Sequence, residues 1–200
     1  MANRDRPAGL SPVGHLNGSP WNGKVRTYSI NVNNTPAIFI GDLVESDNTY
    51  SADSTGKYSG VKQASAGGNV RGVAIGFSDQ PYMAFDTTDL NRAYCPASKA
   101  MYCFVVDDPD VIFEVQEDSA VNNIDADMIG LNADITVDTT GDTNSGISGM
   151  ELDSSGTGTG AAQLRILGVV DREDNALGTN CKFLVYINEH EFRNVDLTGI

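Results

Sequence analysis

Met101-Tyr102-Cys103-Phe104-Val105-Val106 leads into Asp107-Asp108-Pro109-Asp110 and then into Val111-Ile112-Phe113-Glu114-Val115-Gln116. The two outer runs are rich in β-branched and aromatic residues. The four residues between them are turn formers, with Pro following Asp. Each run is too short for a stable helix but has the usual length of a strand. The stretch therefore reads as two adjacent antiparallel strands joined as a hairpin, with Val105, Ile112 and Val115 expected to face the core.

The same grammar extends in both directions. Val25-Arg26-Thr27-Tyr28-Ser29-Ile30 reads as a strand, and Ala37-Ile38-Phe39-Ile40-Gly41-Asp42-Leu43-Val44 as a strand interrupted at Gly41-Asp42. Residues 69–77, Leu164-Arg165-Ile166-Leu167-Gly168-Val169-Val170 and Lys182-Phe183-Leu184-Val185-Tyr186-Ile187 follow suit, with weaker strands over 129–137 and 146–152. Helical signals are confined to 86–92 and to 119–127, the latter with Ser119 as its expected cap. No segment sustains a period of 3.6. Short strands separated by polar turns predict an all-β fold, a barrel or sandwich of short antiparallel strands with at most short helices. The polar stretches 46–68 and 138–160 are expected as mobile surface excursions, with strand pieces able to pair across a subunit boundary.

Residues 1–24 read as an extended N-terminal arm and 25–200 as the β-rich body. Pro7, Pro12 and Pro20 remove backbone donors, and Gly9, Gly14, Gly18 and Gly23 break any periodicity. Leu10, Val13, Leu16 and Trp21 are scattered apolar anchors, which points to an arm that docks rather than one that stays in water.

Charge divides the chain the same way. The 200 residues carry a net charge of −14, and 101–166 hold thirteen acids against Arg165 alone. The first 36 residues hold Arg4, Arg6, Lys24 and Arg26 against Asp5. An acidic body repels nucleic acid and anionic membrane, so neither is an expected partner. No apolar stretch approaches the roughly 20 residues of a membrane span. The first residues show charges but no apolar signal-peptide core. The three cysteines, Cys95, Cys103 and Cys181, cannot all pair, which fits synthesis in a reducing cytoplasm; Cys103 and Cys181 read as buried small hydrophobes.

No catalytic constellation emerges. His15 and His190 are the only histidines, and His190 reads as a solvated or interface residue. Gly146-Ile147-Ser148-Gly149-Met150 lacks the last glycine of a nucleophile elbow. Gly156-Thr157-Gly158-Thr159-Gly160 has neither dinucleotide spacing nor a following helix. Asp107, Asp108 and Asp110, and separately Asp138, Asp142 and Asn144, offer oxygens of the kind calcium takes, but without the glycine and glutamate of a calcium loop; acidic turns are the plainer reading. Glu189 and Glu191 would share one side of a strand, with no cleft evident. The expectation is no enzyme, no cofactor and no metal.

The opening Arg6-Pro7-Ala8-Gly9-Leu10-Ser11-Pro12-Val13, with His15, Asn17-Gly18 and Pro20-Trp21, resembles the head-decoration, or capsid cement, proteins of tailed bacteriophages. So do Ala37-Ile38-Phe39-Ile40-Gly41-Asp42, the central 106–116 and Ile129-Gly130-Leu131-Asn132-Ala133. Leu164-Arg165-Ile166-Leu167, Asp174-Asn175, Gly178 and Ile187-Asn188-Glu189-His190 continue the likeness in order, and it fades over 46–68 and 79–91. The resemblance implies a non-enzymatic virion protein, commonly trimeric, that sits outside the capsid and clamps neighbouring major capsid proteins. On that reading the arm is disordered until it meets the head. Leu10, Val13 and Trp21 then fill coat grooves while Arg4 and Arg6 pair with coat carboxylates, and deleting 1–24 leaves the body folded. The alternatives are another virion part, such as a tail or spike component, or a carbohydrate-binding adhesive β-domain using Trp21, Tyr82 and Tyr94 as stacking faces.

Overall fold

A computed structural model describes residues 3–81, 93–120, 124–137 and 141–193. The helix expected over 86–92, Tyr82, Asp138 and residues 121–123 of the second helical segment lie outside the described residues.

In chain order the strands are β1 (Ser11–His15), β2 (Arg26–Ile30), β3 (Ile38–Phe39), β4 (Leu43–Ser46), β5 (Val61–Gln63), β6 (Gly72–Ser78), β7 (Tyr94–Cys95), β8 (Met101–Val106), β9 (Val111–Gln116), β10 (Asn132–Ala133), β11 (Ile135–Thr136), β12 (Glu151–Leu152), β13 (Leu164–Val169) and β14 (Lys182–Ile187). One five-stranded sheet has the order β1-β9-β14-β13-β10, and a second has β2-β8-β6-β4-β5. β3 pairs with β7 and β11 with β12 in two small ribbons. Among the described residues every strand pairing is antiparallel, as expected. An isolated parallel bridge from Ser29 to Gly60 links β2 to the residue before β5 but does not close the sheet into a barrel. The two sheets face each other across one core, in the manner of a β-sandwich.

The expected 101–116 hairpin is corrected. Both strands exist, but β8 lies in the second sheet between β2 and β6, and β9 in the first between β1 and β14. Each has its two neighbours already, so Asp107-Asp108-Pro109-Asp110 is a corner between layers. Ile112 is also out of phase: Val111, Phe113 and Val115 are buried, while Ile112 and Glu114 are half-buried on the opposite face.

The second sheet is buried on both faces. Leu43, Val73 and Val106 enter the core shared with the first sheet, and their neighbours Val44, Ala74 and Val105 enter a separate cluster with Ile38, Phe77 and Cys103. A strand covered on both sides reads as an unbroken apolar run, which is why 102–106 shows no alternation. In β14, by contrast, Phe183, Val185 and Ile187 are buried, while Lys182, Leu184 and Tyr186 are only partly covered. On that face the Arg193 guanidinium lies 5.7 Å from the centre of the Tyr186 ring.

Among the described residues the only helical piece is a single 3-10 turn, Ala126–Met128, capped by Asp125, whose carboxylate accepts from the Asp127 N–H at 3.0 Å. Ser119 is not its cap; it sits at φ 58 with its N–H on Glu117. The excursion 46–68 is tied down within the chain. Val61–Gln63 pairs with β4, and the fully buried Gln163 donates to the carbonyls of Ser65 and Gly68 at 2.8 and 3.0 Å. In the second excursion Met150 and Leu152 are core residues.

Candidate interaction surface

The N-terminal segment, expected as a free arm, is docked on its own body from residue 3 onward. Asn3 donates to the carbonyls of Ala176 and Thr179 at 2.7 and 2.9 Å and accepts from the Ala176 N–H at 2.9 Å. The Arg6 N–H donates to Gln116 Oε1 at 3.0 Å. The Gln116 amide in turn donates to Asp5 and Glu151 at 3.2 and 2.9 Å. Gly9, at φ 63, lies against Gly41, and the Leu10 N–H donates to the Gly41 carbonyl at 2.9 Å. Ser11–His15 then completes the edge of the first sheet on β9.

This overturns one expected contact residue. Leu10 is 1% exposed and sits in the main core, so it is not available to fill a groove on another protein. Trp21 is half-buried against the same core. Val13, at the bulge in β1, is 43% exposed. Arg4 and Arg6 are exposed and have no ion pair among the described residues.

What the docking assembles is a surface the sequence does not display as a unit. Arg4 and Arg6 line a cavity of about 390 Å³ with Arg172 and Lys182. Glu114 holds the two body cations: Arg172 donates to both its oxygens at 2.9 and 3.1 Å, and Lys182 lies at 3.2 Å. The cavity opens beside the outer face of the first sheet, where Tyr186 stands opposite Ile112, and Leu184 opposite Glu114. Leu167, 37% exposed, lies at the β13 bulge, and Val13 at the β1 bulge, two strands on the other side of Tyr186. The result is a partly covered stripe of Ile112, Leu184 and Tyr186, with Arg193 over Tyr186 and a basic end, on a chain of net charge −14. Apolar surface ringed by charge is the chemistry of a protein contact. The alternation in 182–187 could have signalled this outer face. Nothing local could have linked Arg4 to Arg172.

Glu151 lies under this docked segment. Burial, assisted by Asp5, Asp118 and Glu117 and opposed by the Gln116 amide, pushes its carboxyl up to about 7 from 4.5. The folded chain therefore holds an extra proton between those values, and this group's contribution to stability falls as pH rises through that window. Glu151→Gln should remove the loss. Urea unfolding across a pH series should show a free energy that rises more steeply, or falls less, in the variant between pH 4.5 and 7. Above that window the variant should be the more stable protein.

The other residues weighed for chemistry serve the fold. His190 is fully buried, not solvated; burial drives its pKa down to about 4, and Nδ1 accepts from the Phe192 N–H at 3.0 Å. His15 lies 4.0 Å from Asp108. The three aspartates of the corner take separate partners. Asp107 accepts from the Tyr28 hydroxyl at 2.7 Å and pairs with Arg26 at 3.0 Å, Asp108 accepts from the Asp110 N–H, and Asp110 pairs with Arg193. Asp142 caps a turn through Asn144 and Ser145. Among the described residues no group of three His, Cys, Asp or Glu side chains is placed to hold a metal. Glu191 lies beyond the end of β14 and binds Arg71 and Ser46. All three cysteines are buried with their thiols pushed up, Cys95 to about 12 and Cys181 to about 11, each chiefly by burial. Tyr94 is stacked on Phe39 at 5.0 Å and has no face free for a ligand on that side.

Comparison with known proteins returns no matching family model, no matching curated protein and no matching solved structure.

Proposed function

We propose that this chain is a non-enzymatic capsid decoration protein, a cement that binds the outer surface of a tailed-phage head and clamps neighbouring major capsid proteins. It would be made in the host cytoplasm and end on the virion exterior, as a homotrimer, with no nucleic-acid or membrane partner. The reading draws on the ordered resemblance quoted above. The observation that carries it is the partly exposed outer face of the first sheet, ending in the cavity lined by Arg4, Arg6, Arg172 and Lys182. Such a face suits attachment to a protein with carboxylates near an apolar patch, and the acidic remainder suits a surface turned away from packaged DNA. Relative to the expected arm, the contact is displaced: Arg4, Arg6 and Val13 stay in it, and Leu10 leaves it.

The test is decoration of undecorated heads by purified protein, read by co-sedimentation. The double variant Arg4→Glu/Arg6→Glu alters exposed side chains without ion pairs, so its melting temperature should match the wild type. Its affinity for heads should fall at least about tenfold, because two attractions become repulsions. Unchanged decoration would remove this surface from the contact. A copy number of only a few per particle would instead favour a tail or spike component. Sedimentation of the isolated protein should give a species of three chain masses; a monomer would confine trimerisation to the capsid.

A further inference from the structure

We propose that the cavity between the end of β2, the start of β8 and the 46–60 excursion binds a neutral sugar ring, the terminal unit of a glycan. This does not rest on the decoration reading, because none of its lining belongs to the outer face of the first sheet.

The cavity measures about 310 Å³, at the small end of ligand sites. Its walls combine two kinds of chemistry. Tyr50 and Val32 are 38% and 52% exposed at its rim, and Ile30 and Met101 are buried beneath. Tyr102 forms another wall, its ring propped edge-on by Tyr58 at 5.3 Å. Amphipathic tyrosine faces suit the apolar C–H face of a pyranose.

The polar groups are held in place before any ligand arrives. Asp53 accepts from the Lys57 and Tyr58 N–H groups at 3.1 and 3.3 Å and from the Tyr102 hydroxyl at 3.3 Å. Burial pushes its carboxyl up, but hydrogen bonds from Thr55, Tyr58, Lys57 and Tyr102 outweigh this and keep it below the ordinary range. Asn31 Oδ1 accepts from the Asn33 N–H at 2.9 Å, which orients its amide and leaves the NH₂ as a donor. Asn31 and Asp53 both line the cavity, and a carboxylate and an amide donor in one site match hydroxyls, which give one hydrogen bond and take another. The excursion is thus a built wall, and its rim tyrosine is braced by an Asn33 amide on its hydroxyl at 2.7 Å.

Charge selects the ligand class. None of the described residues lining the cavity is cationic. The second lining carboxylate, Asp79, lies 3.8 Å from Lys99 just outside, and Asp53 has no ion pair among the described residues. An anionic ligand would be repelled. A neutral polyhydroxylated ring is the class that uses both the aromatic walls and the Asn31–Asp53 pair.

The experiment is a heteronuclear NMR titration of the full chain with glucose, galactose, mannose, N-acetylglucosamine and N-acetylgalactosamine in turn, and separately with tetramethylammonium. At least one sugar should shift signals from residues 31–32, 50–54 and 101–102 saturably, at millimolar concentration. Tyr50→Ala should weaken that binding about tenfold, while Tyr50→Phe, which keeps the ring but loses the Asn33 brace, should weaken it less. Asn31→Ala should weaken it through the polar side. Tyr50 is a rim residue, so its variants should melt with the wild type. Arg4→Glu/Arg6→Glu should bind sugar unchanged. The proposal is overturned if no sugar gives a saturable shift, if Tyr50→Ala and Asn31→Ala both bind unchanged, or if tetramethylammonium alone occupies the cavity, which would make it a cation cage.

Discussion

Replacing Gly9 with valine should destabilise the protein by about 2–5 kcal/mol and expose its N-terminus to proteases. Gly9 sits at φ 63, a conformation β-branched residues rarely adopt. A Cβ there would lie 2.4 Å from the Gly41 carbonyl oxygen and 2.6 Å from Ser148 Cβ. Neither the backbone at Gly41 nor the Ser148 stem can yield cheaply, since Leu10 on one side and Met150 on the other are locked in the core. The strain is relieved only by lifting 3–15 away, which gives up the Leu10 burial and the β1–β9 pairing. Urea unfolding measures the loss, and limited proteolysis with N-terminal sequencing locates it. The same reasoning revises the expected outcome of deleting 1–24. That deletion should strip a core leucine and an edge strand and so destabilise the body, rather than leave it intact and merely unable to bind. A truncated chain that melts with the full-length protein would refute this account of the docked segment. Charge reversal at Arg4 and Arg6 is accordingly the cleaner probe of attachment.

Phe113→Ala should cost about 3–5 kcal/mol, the usual penalty for emptying a large buried site. Phe113 is fully buried, paired across to Pro12 and Val185 and surrounded by both sheets. Ile112→Ala, one position away, should cost less than about 1 kcal/mol, because its side chain lies half-covered on the outer face and leaves no closed cavity. Paired denaturation curves test the assignment of faces directly. Equal losses at the two positions would mean that the strand is turned over, and with it the proposed contact stripe of Ile112, Leu184 and Tyr186. If the stripe is a contact, Ile112→Ala should also weaken binding to phage heads more than it weakens the fold.

These two results divide along the line between local and non-local information. The runs 26–30, 72–78, 101–106, 111–116, 164–169 and 182–187 are legible as strands because β-branched and aromatic preference and the flanking turn residues act within a few positions. The break at Gly41-Asp42, the scarcity of helix and the burial of Cys103 and Cys181 are legible for the same reason. Pairing is not local. The sequence around Asp107-Asp108-Pro109-Asp110 is equally compatible with a hairpin and with a corner, and only the prior claims of β2 and β6 on β8, and of β1 and β14 on β9, decide for the corner. Alternation likewise defines two faces of a strand without saying which is inside. Val105 and Val106 show that both can be, since they enter different cores. The N-terminal segment is the sharpest case. Its prolines and glycines deny it a fold of its own, which the sequence states correctly. Yet the glycine at 9 that breaks local periodicity is what lets the segment lie close against Gly41, and a single leucine in the core holds it there. The sugar-sized cavity and the gathering of Arg4 and Arg6 with Arg172 and Lys182 have the same origin. Each joins residues far apart along the chain, and only closure of the sheets brings them within reach of one ligand or one partner.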